Sequence, residues 1–273
     1  MAEKRKSTLI GVDGSAVRHF AKIYTYPCGV QDIIASTHPD FGPKGWETAG
    51  VQKERRSGSC VKQASEKAAP QRLEEDIERS MRRARAKLRR LALANDFRWF
   101  VTLTINPEKC DSFDGAAVVK KLNAWCSNMV QRKGLKYILV PERHKKGRIH
   151  FHGFFNDCLE VVDSGHTDKQ GHTIYNLPQW SLGFTTAIEL YDDYQRAVGY
   201  VCKYVGKQGE KPAGRWYYSG GALAEPRVDY AEISPAELMA EYPGRAFAFY
   251  PPGKQMVVAN GIKVPEQVQK EVK

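Results

Sequence analysis

The chain lacks any apolar run approaching the roughly 18 to 20 residues that cross a bilayer. With 27% charged residues and a mean hydropathy of −0.52, it reads as a protein that folds in water and has no membrane partner. CxxC pairs are missing too. Cys28, Cys60, Cys110, Cys126, Cys158 and Cys202 lie far apart, which excludes a disulfide framework or zinc knuckle and fits scattered reduced thiols. The first residues, Met1-Ala-Glu-Lys-Arg-Lys-Ser7, run into a mixed stretch containing acid, unlike the apolar core of a signal peptide. These features lead us to expect a reducing, cytoplasmic location. No Walker-type Gly-Lys-Ser/Thr loop occurs, so neither a nucleotide cofactor nor a fused helicase is expected. Internal repeats and long low-complexity tracts are also absent. Acid is in deficit, with 31 Asp+Glu against 42 Lys+Arg and a net charge of +11. That balance favours a polyanion partner through phosphate contacts and counterion release.

What remains is ample for one substantial core with appendages, since 42% of the 273 residues are hydrophobic and 11% aromatic. Short strand-like pieces, Ser7 to Val12 and Phe20 to Tyr26, precede a segment from Thr37 to Lys67 rich in Gly, Pro, Ser and charge, which reads as loops and a flexible link. Pro70 opens the strongest helical pattern. From Leu73 to Ala94 no Gly or Pro intervenes, and acids at Glu74, Glu75, Asp76 and Glu78 precede bases, the polarity that suits a helix dipole. Ile77, Met81, Ala84, Leu88 and Leu91 trace an apolar stripe, with Arg and Lys occupying the other faces. That pattern fits either a solvated amphipathic helix or one that touches DNA.

The spacing then predicts strand Phe97 to Thr104, helix Asp114 to Gln131, strand Leu135 to Glu142, a turn at Lys145-Lys-Gly147 and strand Arg148 to Phe155. A loop from Asp163 to Gln179, a strand Phe184 to Leu190 and a helix from about Asp192 to Val205 follow, and a short helix is expected over Pro235 to Glu241. This order predicts an α+β fold, an antiparallel sheet with its helices packed on one side. We divide the chain into an appendage and link (1–69), a core (70–220) and a C-terminal extension (221–273).

Within that core, His150-Phe-His152 sets two imidazoles on one strand face, because residues i and i+2 point the same way. The hairpin turn near Lys146 brings Glu142 opposite His150, and cross-strand neighbours approach to about 4.5 to 5.5 Å between Cβ atoms. Two histidines and one carboxylate make a candidate site for a divalent metal, Mg2+ or Mn2+, which would act as a Lewis acid at a phosphate. His144 competes with Glu142 for the third position, and His166 and His172 are weaker candidates. Downstream, Tyr200-Val-Cys-Lys203-Tyr204-Val-Gly-Lys207 doubles a Tyr-x-x-Lys unit at four-residue spacing, so both tyrosines share a helix face. A phenol with an ordinary pKa of about 10 needs help to ionise, and Lys203 is placed to give it. Packing alone could explain either motif by itself, as satisfied strand histidines or as the aromatic stripe of an amphipathic helix.

Taken in order, Phe100-Val-Thr-Leu-Thr104, Glu142 with His150-Phe-His152, and Tyr200 through Lys207 resemble the three motifs of the HUH endonucleases. More narrowly, the series is similar to the two-tyrosine rolling-circle replication initiators of small single-stranded DNA phages and related plasmids. The likeness covers about residues 70 to 220. It implies a ferredoxin-like or RRM-like core in a bacterial host's cytoplasm. The reaction it implies is attack by one tyrosine on single-stranded origin DNA, leaving a 5′-phosphotyrosine link and a free 3′-OH, followed by rejoining. By the same resemblance His150, His152 and Glu142 hold the metal, Tyr200 and Tyr204 are nucleophiles, and Lys203 is the motif lysine. Thr102 and Thr104 would shape the sheet and the DNA groove. A host helicase and DNA polymerase would be partners. The alternatives are a transposase or relaxase with the same chemistry, or a non-catalytic single-stranded nucleic-acid binder on an RRM-like sheet.

Overall fold

The computed structural model describes residues 9–10, 16–17, 19–38, 41–42, 69–190, 194–207, 209–250 and 254–264. Among these the elements run β1 (Leu9–Ile10), β2 (Ala16–Val17), β3 (Phe20–Thr25), β4 (Val30–Ser36), α1 (Ala69–Leu93), β5 (Trp99–Thr104), α2 (Gly115–Lys133), β6 (Tyr137–Arg143), β7 (Ile149–Phe155), β8 (Val162–Thr167), β9 (Thr173–Asn176), β10 (Thr185–Glu189), α3 (Tyr194–Tyr204), β11 (Tyr218–Gly220), β12 (Arg227–Ala231), α4 (Pro235–Glu241), β13 (Ala246–Phe249) and β14 (Met256–Lys263). The fold is α+β, built on antiparallel sheets. Most of the loop expected over Thr37 to Lys67, the ends of the strand expected over Ser7 to Val12, and Asp192 lie outside the described residues.

The chain divides into two compact units, residues 67–225 and a second one made of residues 1–66 with 226–273. In the second unit, strands from both ends of the chain form one sheet, in the order β12-β3-β4-β14-β13. One face of that sheet, carrying Ala21, Ile33, Ala35, Val257 and Ala259, closes on Leu238 of α4. Helix α4 starts at a capping box in which Ser234 and Glu237 satisfy each other's backbone N–H groups. The leader and the C-terminal extension, read as separate appendages from the sequence, are therefore joined by backbone pairing.

The unit over residues 67–225 is built on a seven-stranded sheet in the order β11-β6-β7-β5-β10-β9-β8. Alternation along its central strands sends Trp99, Val101, Leu103, Phe151 and Phe155 to one face, where Val118, Leu122 and Trp125 of α2 cover them. Helix α2 is bounded by local chemistry. Asp114 accepts from the N–H groups of Ala116 and Ala117 at 2.8 and 3.2 Å, and Gly134 closes the other end at φ 70°.

Helices lie on both faces of this sheet, which corrects the expectation that all pack on one side. Phe154 and Ile138, on the face away from α2, are fully buried. Helix α3 covers that face, with Tyr194, Tyr200 and Tyr204 against Phe154, Phe100 and His152. A strand apolar on both faces needs two covers, and the run Phe151 to Phe155 has that character.

The segment expected as a loop from Asp163 to Gln179 contains the hairpin β8–β9. Strand β8 reads Val-Asp-Ser-Gly-His-Thr, is almost wholly exposed and carries no apolar alternation. Pairing to β9 creates it. β9 in turn is held by the Ala187–Tyr175 pair and by Tyr175 set edge-on to Trp99 at 5.2 Å.

Candidate metal centre and tyrosine pair

The hairpin β6–β7 pairs Glu142 with His150 and Val140 with His152, turning through Gly147 at φ 83°. Its closeness depends on Gly153, opposite Leu139, because a β-carbon there would overlap the backbone of Ile138. Glu142, His150 and His152 thus share the face under α3. Their ligand atoms all lie within 4.8 Å of one another. Glu142 Oε2 stands 3.2 Å from His150 Nε2 and 3.0 Å from His152 Nε2, while Lys207 Nζ donates to the other oxygen, Oε1, at 2.6 Å.

The carboxylate is only 8% exposed. Burial by itself would raise its pKa, but the hydrogen bonds from Lys207 and His150 outweigh burial and hold Glu142 below the ordinary carboxylate value. His152 moves the other way for a base. Burial, and then the neighbouring His150, depress it from 6.5 to about 4, so its ring is neutral at physiological pH. A neutral imidazole is the form that ligates metals. Lys207 is raised by its bond to Glu142.

Thr102 Oγ1 lies 3.1 Å from His152 Nδ1. A hydroxyl can donate or accept, so Thr102 can take the Nδ1 proton when Nε2 offers its lone pair to a cation. The sequence by itself assigns Thr102 only to sheet and groove. Strand parity holds the further signal, because Thr102 pairs with His152 across β5 and β7.

The two nucleophile candidates sit on α3 above this cluster. Tyr204 stacks on His152, with ring centroids 4.2 Å apart at 18°, and its hydroxyl donates to that of Tyr200 at 2.6 Å. Tyr200 leans edge-on against Phe100 at 5.9 Å and remains 49% exposed. Burial, together with the hydroxyl of Tyr200 and the charge of Glu142, pushes the Tyr204 phenol above its ordinary value. Helix α3 is held at both ends by α1. Tyr194 donates to Ala92 O at 2.6 Å, and Arg85 Nε donates to Val205 O at 2.9 Å, satisfying a carbonyl just past the helix end. The chain then leaves through Gly206 at φ 72°.

The structure thus brings together Glu142, His150, His152, Tyr200 and Tyr204. Lys203 is exposed and, among the described residues, makes no hydrogen bond or ion pair to the cluster; Lys207 of the second Tyr-x-x-Lys unit does. His144 is exposed, its ring edge-on to His150 at 5.8 Å, outside the three-residue group. His172 bonds Asp168 at 3.0 Å in the β8–β9 hairpin. His166 pairs with Ile174 in that hairpin, again outside the group.

Residues 98–209 match the family model of the replication-associated protein ORF2. The matched stretch runs from β5 to just past Lys207 and so contains all five residues brought together here. It links this part of the chain to DNA replication. No curated protein and no solved structure matches the chain. Among the described residues, no helix is long and apolar enough to cross a membrane.

The donor set fits a divalent cation. Two Nε2 atoms and one carboxylate oxygen converge from one face, and His152 is held by Thr102 behind it. Three protein ligands leave positions open for a substrate oxygen and water.

Proposed function

We propose that the protein is a replication initiator that nicks single-stranded origin DNA with a tyrosine nucleophile and later rejoins the strands. One observation carries this reading: a tyrosine pair stacked directly on a two-histidine, one-carboxylate cluster. The match over 98–209 to a replication-associated family supports it, as does the net charge of +11. The order β5-α2-β6-β7, with β10 and α3 following, is also consistent with a ferredoxin-like or RRM-like HUH core.

When bound by His150, His152 and Glu142, a divalent cation such as Mg2+ or Mn2+ supplies Lewis-acid stabilisation of charge on the scissile phosphate. The protein's own groups do the rest. One phenol loses its proton and attacks phosphorus; the Tyr O–P bond forms, the P–O3′ bond breaks, and the departing 3′ oxygen takes up a proton. The partner hydroxyl, 2.6 Å away, can hydrogen-bond the phenolate as it forms. Lys207, 5.2 Å from the Tyr204 ring centre, adds positive charge beside the pair. Lys203 faces outward, where it can meet a flanking phosphate. After synthesis the second tyrosine cleaves the regenerated site, and the freed 3′-OH displaces the first tyrosine from phosphorus. Storing the phosphodiester as phosphotyrosine makes rejoining independent of ATP. Unwinding and synthesis would fall to a host helicase and polymerase.

Incubation with labelled single-stranded origin oligonucleotides and Mn2+, followed by a denaturing gel, tests the proposal. A covalent adduct is expected that EDTA abolishes and that the Tyr200→Phe, Tyr204→Phe double variant cannot form. An adduct persisting in that variant would sink the reading. A simple binder would instead shift the oligonucleotide equally in EDTA and never link to it.

A further inference from the structure

The row of side chains that begins with Glu142 and His150 does not end at β7. His150 pairs with Thr104 on β5. Beyond Thr104, whose N–H donates to Phe184 O at 2.8 Å, stands Phe184, immediately before β10. Paired residues share a sheet face, so Phe184 lies on the metal-site face, two strands from His150, or about 10 Å at the usual strand spacing. Its ring is 73% exposed. Its backbone is nonetheless fixed, by the bond from Thr104 and by Gly183, which sits so close to the Thr104 carbonyl that a β-carbon would not fit.

Next along this face is Thr186, paired with Thr102 and exposed. Asn176 of β9, one residue on from the Ala187–Tyr175 pair, is exposed beside it. The aromatic residues of α3 rest on Phe100, His152 and Phe154, leaving Phe184 and Thr186 uncovered. A scattered surface phenylalanine needs no explanation. This one lies in line with the candidate centre, on a rigid backbone and beside hydroxyl and amide groups.

We propose that Phe184 is a base-stacking platform, with Thr186 and Asn176 beside it, for the single-stranded DNA next to the scissile phosphate. The proposal rests on the nicking reading for its choice of ligand. A flat aromatic face takes any base, so the subsite contributes affinity and register without sequence preference. The neighbouring polar groups can hydrogen-bond base edges or sugar-phosphate.

Fluorescence anisotropy with labelled dT20 and an abasic 20-mer of the same charge, in EDTA, tests this with full-length protein. Loss of one stacked base is worth roughly 5- to 150-fold in Kd. Phe184→Ala is expected to weaken dT20 by that factor while leaving the abasic strand unchanged, and Phe184→Trp to restore dT20. Equal dT20 affinity for wild type and Phe184→Ala, or equal losses on both strands, overturns the subsite. Exposure of the ring makes unfolding of the variant unexpected, and matched thermal melts check it. A parallel incubation of wild type with Mn2+ and a random-sequence single-stranded 40-mer pool separates the two readings. Adduct formation without a Phe184 effect removes the subsite and leaves nicking intact. A Phe184 effect without any adduct retains the subsite as a DNA-binding surface and counts against nicking.

Discussion

The two faces of strand β7 carry opposite kinds of chemistry within seven residues. Phe151 and Phe155 point into an apolar layer closed by α2, whereas His150 and His152 point to Glu142, Thr102 and the tyrosines of α3. Gly153 permits the close approach to β6 on which both depend. The first face can be made from many apolar residues of suitable volume, while the second requires particular atoms at hydrogen-bonding distance. Stability and function are thus separated by strand parity alone, and substitutions one residue apart should fail in different ways.

The largest difference is expected from His150→Ala or His152→Ala, which should abolish covalent adduct formation with Mn2+ yet spare much of the metal-independent oligonucleotide affinity. Parallel gel-shift and denaturing-gel assays read both, and an equal loss of both activities would give the histidines a structural role. On the other face, Phe151→Ala should destabilise the unit by about 3–5 kcal/mol, measured as a shift of the urea midpoint. A smaller loss would mean that the α2 face tolerates repacking.

Acidification should act chiefly through the polar face. The folded-state pKa of His152 lies below its unfolded value, so the unfolded chain binds the extra proton first. Stability is therefore fully present above about pH 6.5 and falls towards pH 4, by roughly 3 kcal/mol at most. Glu142, also held low, adds a loss in the same direction as its folded pKa is crossed. Urea titrations in EDTA at pH 7 and 4.5 should show this slope, and His152→Gln should flatten it; an unchanged slope would contradict the burial of that ring. The smallest stability effect is expected from Lys207→Ala, because this lysine is mostly exposed and such an ion pair is worth under about 1 kcal/mol. Its adduct yield should nevertheless fall more than that of Lys203→Ala, and the reverse ranking would restore Lys203 as the working lysine.

Much of this arrangement was legible because it is local. The hairpin turn at Lys145 to Gly147 set Glu142 opposite His150 by counting, and helical spacing put Tyr200 and Tyr204 on one side of α3. Thr102 and Lys207 were harder to read. Thr102 reaches His152 only through the register of β5 against β7, strands separated in sequence by α2 and β6. Lys207 lies past the end of α3, where the chain's exit and not helical periodicity decides what its ammonium meets. Strand β8 escaped notice because its own residues carry no pattern, and the joining of β3 and β4 with β12, β13 and β14 escaped because pairing across two hundred residues leaves no local trace.

By itself the amino-acid sequence determined which residues are chemically able to hold a cation or attack a phosphate, and which face of each strand or helix they occupy. These follow from side-chain type and from periods of two and 3.6 residues. Only the tertiary structure decided that α3 covers the histidine face, that Lys207 rather than Lys203 meets Glu142, and that Phe184 lies in line with the candidate centre. Each of these depends on the order of strands and the docking of helices, which are set by burying two apolar faces at once.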